Sequence, residues 1–204
     1  MVKADFRIGT VIIAIMFSVG VFGMTAVRAL VYPETEPASH LITYAQYASN
    51  TTPAQPSALP ARLVIPAISV DATVEHVGVG VSGNMAVPMS YDNVGWYRLG
   101  IVPGDLGSAV VGGHVTNGLM MPSVFNRLGE LQAGDEIIVE TNGGDRIRFA
   151  VVDAQRYRYN KVPRDLLFNR NDAQWLNLIT CDGIWIAGKR TYDERVVVYT
   201  VRVS

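Results

Sequence analysis

EIIVETNGGDRIRFAVVDAQR, residues 136–156, holds two runs rich in β-branched and aromatic side chains, 136–141 and 146–156, on either side of Asn142-Gly143-Gly144. Residues of that kind fit a pleated, half-buried surface, and an Asn-Gly pair supplies the backbone freedom of a hairpin turn. Ala133-Gly134-Asp135 marks a second turn just upstream. The same texture extends outward to runs at 63–66, 73–77, 109–113, 176–180 and 195–203, each bounded by Gly, Pro, Asn or Asp. PSVFNRL, residues 122–128, predicts one short helix, and there is neither a long amphipathic helix nor an internal repeat. A mainly β chain of many short strands with one or two short helices points to a closed barrel or a sandwich.

The 204 residues are enough for one compact domain plus an appendage. Lys3 and Arg7 precede an uncharged apolar run, 8–27. About twenty residues at a rise of about 1.5 Å span the hydrocarbon layer of a membrane. Two basic residues before the run against Arg28 after it put the N-terminus in the cytoplasm. A cleaved secretory signal would have a shorter apolar region and a small-x-small site, so an uncleaved anchor in lipid is the favoured reading. Both readings export the remainder. Residues 32–60 are rich in Pro, Thr, Ser, Ala and Gln without periodicity and read as a flexible spacer; they include His40 and the formal sequon at Asn50. The expected organisation is therefore a stub and membrane anchor over 1–31, a spacer over 32–60 and a β-domain over 61–204. Localisation follows as a single-pass membrane protein with that domain outside the cytoplasm.

Seventeen Lys and Arg against eighteen Asp and Glu give a formal net charge of -1, with the basic residues scattered. No basic field points to nucleic acid. Cys181 is the single cysteine, so no internal disulfide is possible. His40, His76 and His114 are too dispersed to build a zinc site with it, and no loop carries carboxylates at calcium-binding spacing. No metal and no cofactor are expected.

Cys181 follows Trp175-Leu-Asn-Leu-Ile-Thr180 and precedes Asp182-Gly183, where a strand gives way to a loop. A reactive residue must be held rigidly yet stay reachable, and that location serves both needs. His114 ends Ser108-Ala-Val-Val-Gly-Gly-His114, after two glycines that permit close backbone approach. Arg195 opens Arg195-Val-Val-Val-Tyr-Thr-Val201. Each alone has an ordinary explanation: a small buried thiol, a surface His at a turn, an Arg at a sheet edge. Together they sit at three strand ends, which a barrel can bring to one rim. His76, in Val74-Glu75-His76-Val77, reads as a solvent-side strand residue.

Leu178-Ile-Thr-Cys181, Gly112-Gly-His114 and Arg195-Val-Val-Val-Tyr199 resemble the three signature segments of sortases. Asn93-Val-Gly-Trp-Tyr-Arg-Leu-Gly100, with Pro103-Gly104 and Gly107-Ser-Ala-Val110, is similar to class F in particular. The resemblance covers about 63–203. It implies an eight-stranded β-barrel and a cysteine transpeptidase that cleaves a Leu-Pro-X-Thr-Gly-type sorting signal on secreted proteins. The new carboxyl end is then joined to an amine on a cell-wall precursor or a pilin. It further implies Cys181 as nucleophile, His114 as proton partner, Arg195 as oxyanion stabiliser and Thr180 as a substrate contact. Where class F members often continue the histidine segment with Val-Asp, this chain has Val115-Thr116, which puts carboxylate support from that position in doubt. The following loop, 182–194, carries Trp185 and Ile186, which makes its substrate contacts individual to this chain. An exported cysteine hydrolase using the same dyad and a non-catalytic, membrane-tethered binding domain are the alternatives.

In chemical terms the thiolate attacks, and at an ordinary pKa only about 3% of a thiol is ionised at pH 7. A nearby imidazolium would raise that fraction. An arginine cannot lose its charge and can hold a developing oxyanion with fixed donors.

Overall fold

The computed structural model describes residues 58–203. The predicted membrane span at 8–27 and most of the spacer lie outside the described residues. Among the described residues no helix is long and apolar enough to cross a membrane.

Eight strands form: β1 (Pro60–Ile65), β2 (Val70–Val77), β3 (Val94–Tyr97), β4 (Gly107–Gly113), β5 (Glu136–Thr141), β6 (Arg146–Arg158), β7 (Gln174–Ile186) and β8 (Thr191–Arg202). They close into a barrel in the order β1-β2-β3-β4-β7-β8-β6-β5. Closure pairs every edge, so no strand offers an open row of backbone groups. The hairpin that opened the sequence reading forms with Glu140 opposite Arg146, and Thr141 N donates to Asp145 O at 2.9 Å. Alternate residues point inward, and Leu63, Ile65, Phe149, Leu176, Leu178 and Val198 are fully buried. His76 is exposed, as its alternation predicts.

Three features differ from the sequence reading. β3 has no counterpart among the predicted runs, because four residues with a glycine among them carry too little periodicity to stand out. β7 and β8 extend past the barrel as a hairpin, so Cys181 and Arg195 lie within strands rather than at their ends. Asp182-Gly183 is a bulge, with Gly183 at φ +83° and Ile184 N donating to the Asp193 carboxylate at 2.6 Å. A positive φ suits glycine in a bulge as well as in a turn. The predicted helix at 122–128 is instead a series of turns leading to a single 3-10 turn at Leu128–Glu130. Its amides bond elsewhere: Ser123 N to Val115 O and Phe125 N to His114 O. The one α-helix among the described residues is α1 (Arg164–Phe168).

α1 lies beside the outer face of β4 and β7. Asn177, fully buried on β7, donates from Nδ2 to Leu167 O at 2.7 Å and Leu166 O at 3.3 Å. These bonds satisfy carbonyls at the helix end that would otherwise be orphaned. Leu167 joins Val110, Val197 and Tyr199 in a small apolar cluster outside the barrel.

Candidate active site

The three candidate strands are neighbours. β4 runs parallel to β7, with Gly112 opposite Ile179, so each chain needs two further residues to reach His114 and Cys181. β8 runs antiparallel to β7 and sets Arg195 directly opposite Cys181. The nucleophile candidate therefore occupies the middle strand of three. Thr180 is buried, and its hydroxyl donates to Gly113 O at 2.9 Å. That bond fixes the His114 strand end to the Cys181 strand.

Cys181 is half-buried and unpaired. Burial pushes its thiol up from the ordinary value, and the positive charge of Arg195 partly opposes the rise. The cation set against the thiol is thus Arg195, where the sequence reading looked to an imidazolium. Arg195 is itself held by its hairpin: Nη1 donates to Tyr192 O at 3.0 Å and Glu194 O at 2.6 Å, and Nη2 to Thr191 Oγ1 at 2.7 Å. A guanidinium has five N–H donors, so donors remain for an incoming oxyanion.

A groove of about 330 Å³ runs along this face. Cys181, Arg195 and Thr180 line it together with apolar Met85, Val87, Leu167, Phe168 and Ile179. Leu167 and Phe168 come from α1, so the Asn177 bonds shape the groove wall. His114 is not among the lining residues; its strand neighbours Gly112 and Gly113 are. Its Nε2 lies 2.9 Å from Pro88 O, and its ring packs at 57° against Tyr91 with centroids 4.8 Å apart. A carbonyl only accepts, so Nε2 carries the proton and Nδ1 is the nitrogen left to exchange one.

A family model for the sortase domain matches residues 63–203. The chain belongs to the sortase family. Sortases are cysteine transpeptidases, and the lone cysteine beside an arginine on a groove wall agrees with that chemistry. No curated protein sequence matches the chain. Among solved structures, sortase C-1 from Actinomyces oris is similar at 22% identity over 85% of each chain, with a TM-score of 0.57. A lid mutant of sortase A from Corynebacterium diphtheriae is similar at 19% identity over 79% of each chain, TM-score 0.56. Sortase A from Listeria monocytogenes shares 17% identity over 72% of this chain and 89% of its own, TM-score 0.53. These likenesses fix the fold, and they fall in classes A and C.

Several contacts that shape this sortase site go beyond what the sequence motifs mark. Thr116, where a carboxylate was in question, hydrogen-bonds Tyr192 OH at 2.7 Å. Tyr192 packs edge-on against Trp185 at 5.2 Å, while its carbonyl accepts from Arg195. One tyrosine thus links the chain after His114 to the hairpin that carries Arg195. Its position inside the loop already marked by Trp185 was the only signal in the sequence. Pro88 and Tyr91, which hold the His114 ring, gave no signal.

Proposed function

We propose that this sortase cleaves a Leu-Pro-X-Thr-Gly-type signal through a thioester on Cys181 and passes the acyl group to an amine. The observation that carries the proposal is Cys181 directly opposite Arg195 on the wall of an apolar groove. The Cys181 thiol gives its proton to Nδ1 of His114, and the thiolate so formed adds to the Thr–Gly carbonyl, forming an S–C bond and a tetrahedral oxyanion. Donors of Arg195 left over from its hairpin bonds stabilise that charge. Collapse breaks the C–N bond, and His114 protonates the departing glycine amine from Nδ1. The acceptor amine then gives its proton to His114 and attacks the thioester, which releases the thiolate.

Thr180 serves the substrate through its backbone and through the acceptor side of a hydroxyl whose proton is already given to Gly113. The acceptor class is a cell-wall precursor or pilin amine. Residues 93–110 support membership of class F. The apolar run at 8–27 supports a single-pass membrane anchor with the catalytic domain outside the cytoplasm.

The test is product analysis with a panel of Leu-Pro-X-Thr-Gly peptides, with and without triglycine. An amide-linked product in the presence of triglycine, with a thioester trapped on Cys181, is the expected result. Hydrolysis alone at saturating triglycine would establish the hydrolase instead.

A further inference from the structure

Glu75 stands on β2, opposite Gly95 of β3 and outside every segment that marks the family resemblance. Its half-buried carboxylate takes three donors. Oε2 accepts from Met89 N at 2.7 Å, and Oε1 accepts from Ser90 N at 3.1 Å and Asn93 Nδ2 at 2.9 Å. The segment so gripped contains both groups that hold the His114 ring, the Pro88 carbonyl and the Tyr91 ring. Tyr91 O is fixed from the other side by Val124 N at 3.3 Å and the Ser123 hydroxyl. The His114 carbonyl is fixed by Phe125 N at 2.9 Å. Both contacts to the His114 ring, from the Pro88 carbonyl and the Tyr91 ring, thus come from one short segment, and Glu75 is that segment's anchor.

We propose that Glu75 is the positioning residue for His114: its carboxylate clamps residues 89–93 so that Pro88 and Tyr91 present the imidazole in one tautomer and one orientation. It supplies from β2 the carboxylate support that Thr116 cannot give. The chemistry requires a carboxylate. Two adjacent backbone N–H groups and a side-chain amide all donate, so the receiving group must offer an acceptor oxygen on each side. Glutamine keeps one oxygen and turns a donor toward Met89 N or toward the Ser90 and Asn93 pair. Alanine leaves all three donors unpaired. Electrostatics agree: burial tends to raise Glu75, yet its bonds from Met89, Asn93 and Ser90 and the charge of His114 together hold it below the usual carboxylate range.

The role of His114 here rests on the proposed transpeptidase reading, so the test keeps the two separable. Full-length protein in detergent micelles is compared as wild type, Glu75→Gln and Glu75→Ala. The readouts are peptide transfer to triglycine, the alkylation rate of Cys181 by iodoacetamide, and the NMR shifts of the His114 ring protons, which the Tyr91 ring displaces. The expected result is a fall in kcat of about tenfold in Glu75→Gln and more in Glu75→Ala, with KM changed less than about threefold. Cys181 alkylation stays at the wild-type rate, and the His114 ring signals lose their displacement in the same order. Should Glu75→Ala not fold, Glu75→Gln decides by the same readouts. Unchanged His114 signals in a folded variant would overturn the proposal, as would a loss carried in KM alone. If the wild type joins no peptide to triglycine, the transpeptidase reading fails, while the ring signals still decide what Glu75 does.

Discussion

Replacing Gly113 by alanine puts a methyl group 2.5 Å from Cδ2 and 2.8 Å from Cγ of Phe125. Ordinary carbon–carbon contact begins near about 3.5 Å, so the ring or the strand must give way by about 1 Å. Phe125 is fully buried in the main core and has no open side to retreat to. Overpacking of that kind costs about 1–3 kcal/mol. The strain is applied beside the groups proposed to react. Gly113 O accepts from Thr180, next to Cys181, and Phe125 N holds the carbonyl of His114. A shift of about 1 Å between catalytic partners costs on the order of 10²-fold in rate. Gly112 is the internal control, since a Cβ there meets its neighbours at ordinary contact distance, the end of Met85 at 3.5 Å and Ile179 at 3.8 Å. Urea titrations should show Gly113→Ala destabilised by the stated amount and Gly112→Ala within about 0.5 kcal/mol of wild type. Phe125→Leu makes room for the new methyl, so a double-mutant cycle should return a coupling of at least about 1 kcal/mol of the relieving sign. Wild-type stability and turnover in Gly113→Ala would refute the close-approach argument, and additivity in the cycle would refute Phe125 as its cause.

Cys181→Ala should abolish acyl-enzyme formation, and any transfer product from it would point to another nucleophile. In His114→Ala the thiol persists but the leaving amine goes unprotonated, so activity should fall severely and raising the pH should recover little of it. Arg195→Lys keeps the charge and loses the planar fork, with an expected loss on the order of 10²–10³-fold in kcat. Arg195→Met leaves burial unopposed at Cys181. The thiol should then ionise at higher pH, seen as an upward shift in the pH midpoint of iodoacetamide alkylation; a downward shift would sink the assigned charge effect. Asn177→Ala strips the donor from the carbonyls of Leu166 and Leu167 and should cost about 1–3 kcal/mol in urea, with KM raised as α1 loosens.

What could be read from the sequence was what is local. The hairpin at Asn142-Gly143-Gly144 and the strands around it follow from runs of a few residues, and neighbouring β4, β7 and β8 carry the segments of His114, Cys181 and Arg195. What escaped depends on partners distant in the chain. The stretch 122–128 has the composition of a helix, but Val115, His114 and Tyr91 claim the amides of Ser123, Phe125 and Val124. Asp182-Gly183 has the composition of a turn, but the Asp193 carboxylate across the hairpin makes it a bulge and carries β7 on to Ile186. The same holds inside the site. A motif names the groups that react, because their chemistry admits few substitutes, and it omits the groups that aim them. The Pro88 carbonyl could be supplied by any residue, and Glu75 reaches its three donors across 14 to 18 positions. Tyr192 meets Thr116 from 76 positions away. Each of these contacts exists only once the barrel has closed. Much of what makes this cysteine site specific to this chain is therefore written in pairs of residues, neither of which is unusual alone.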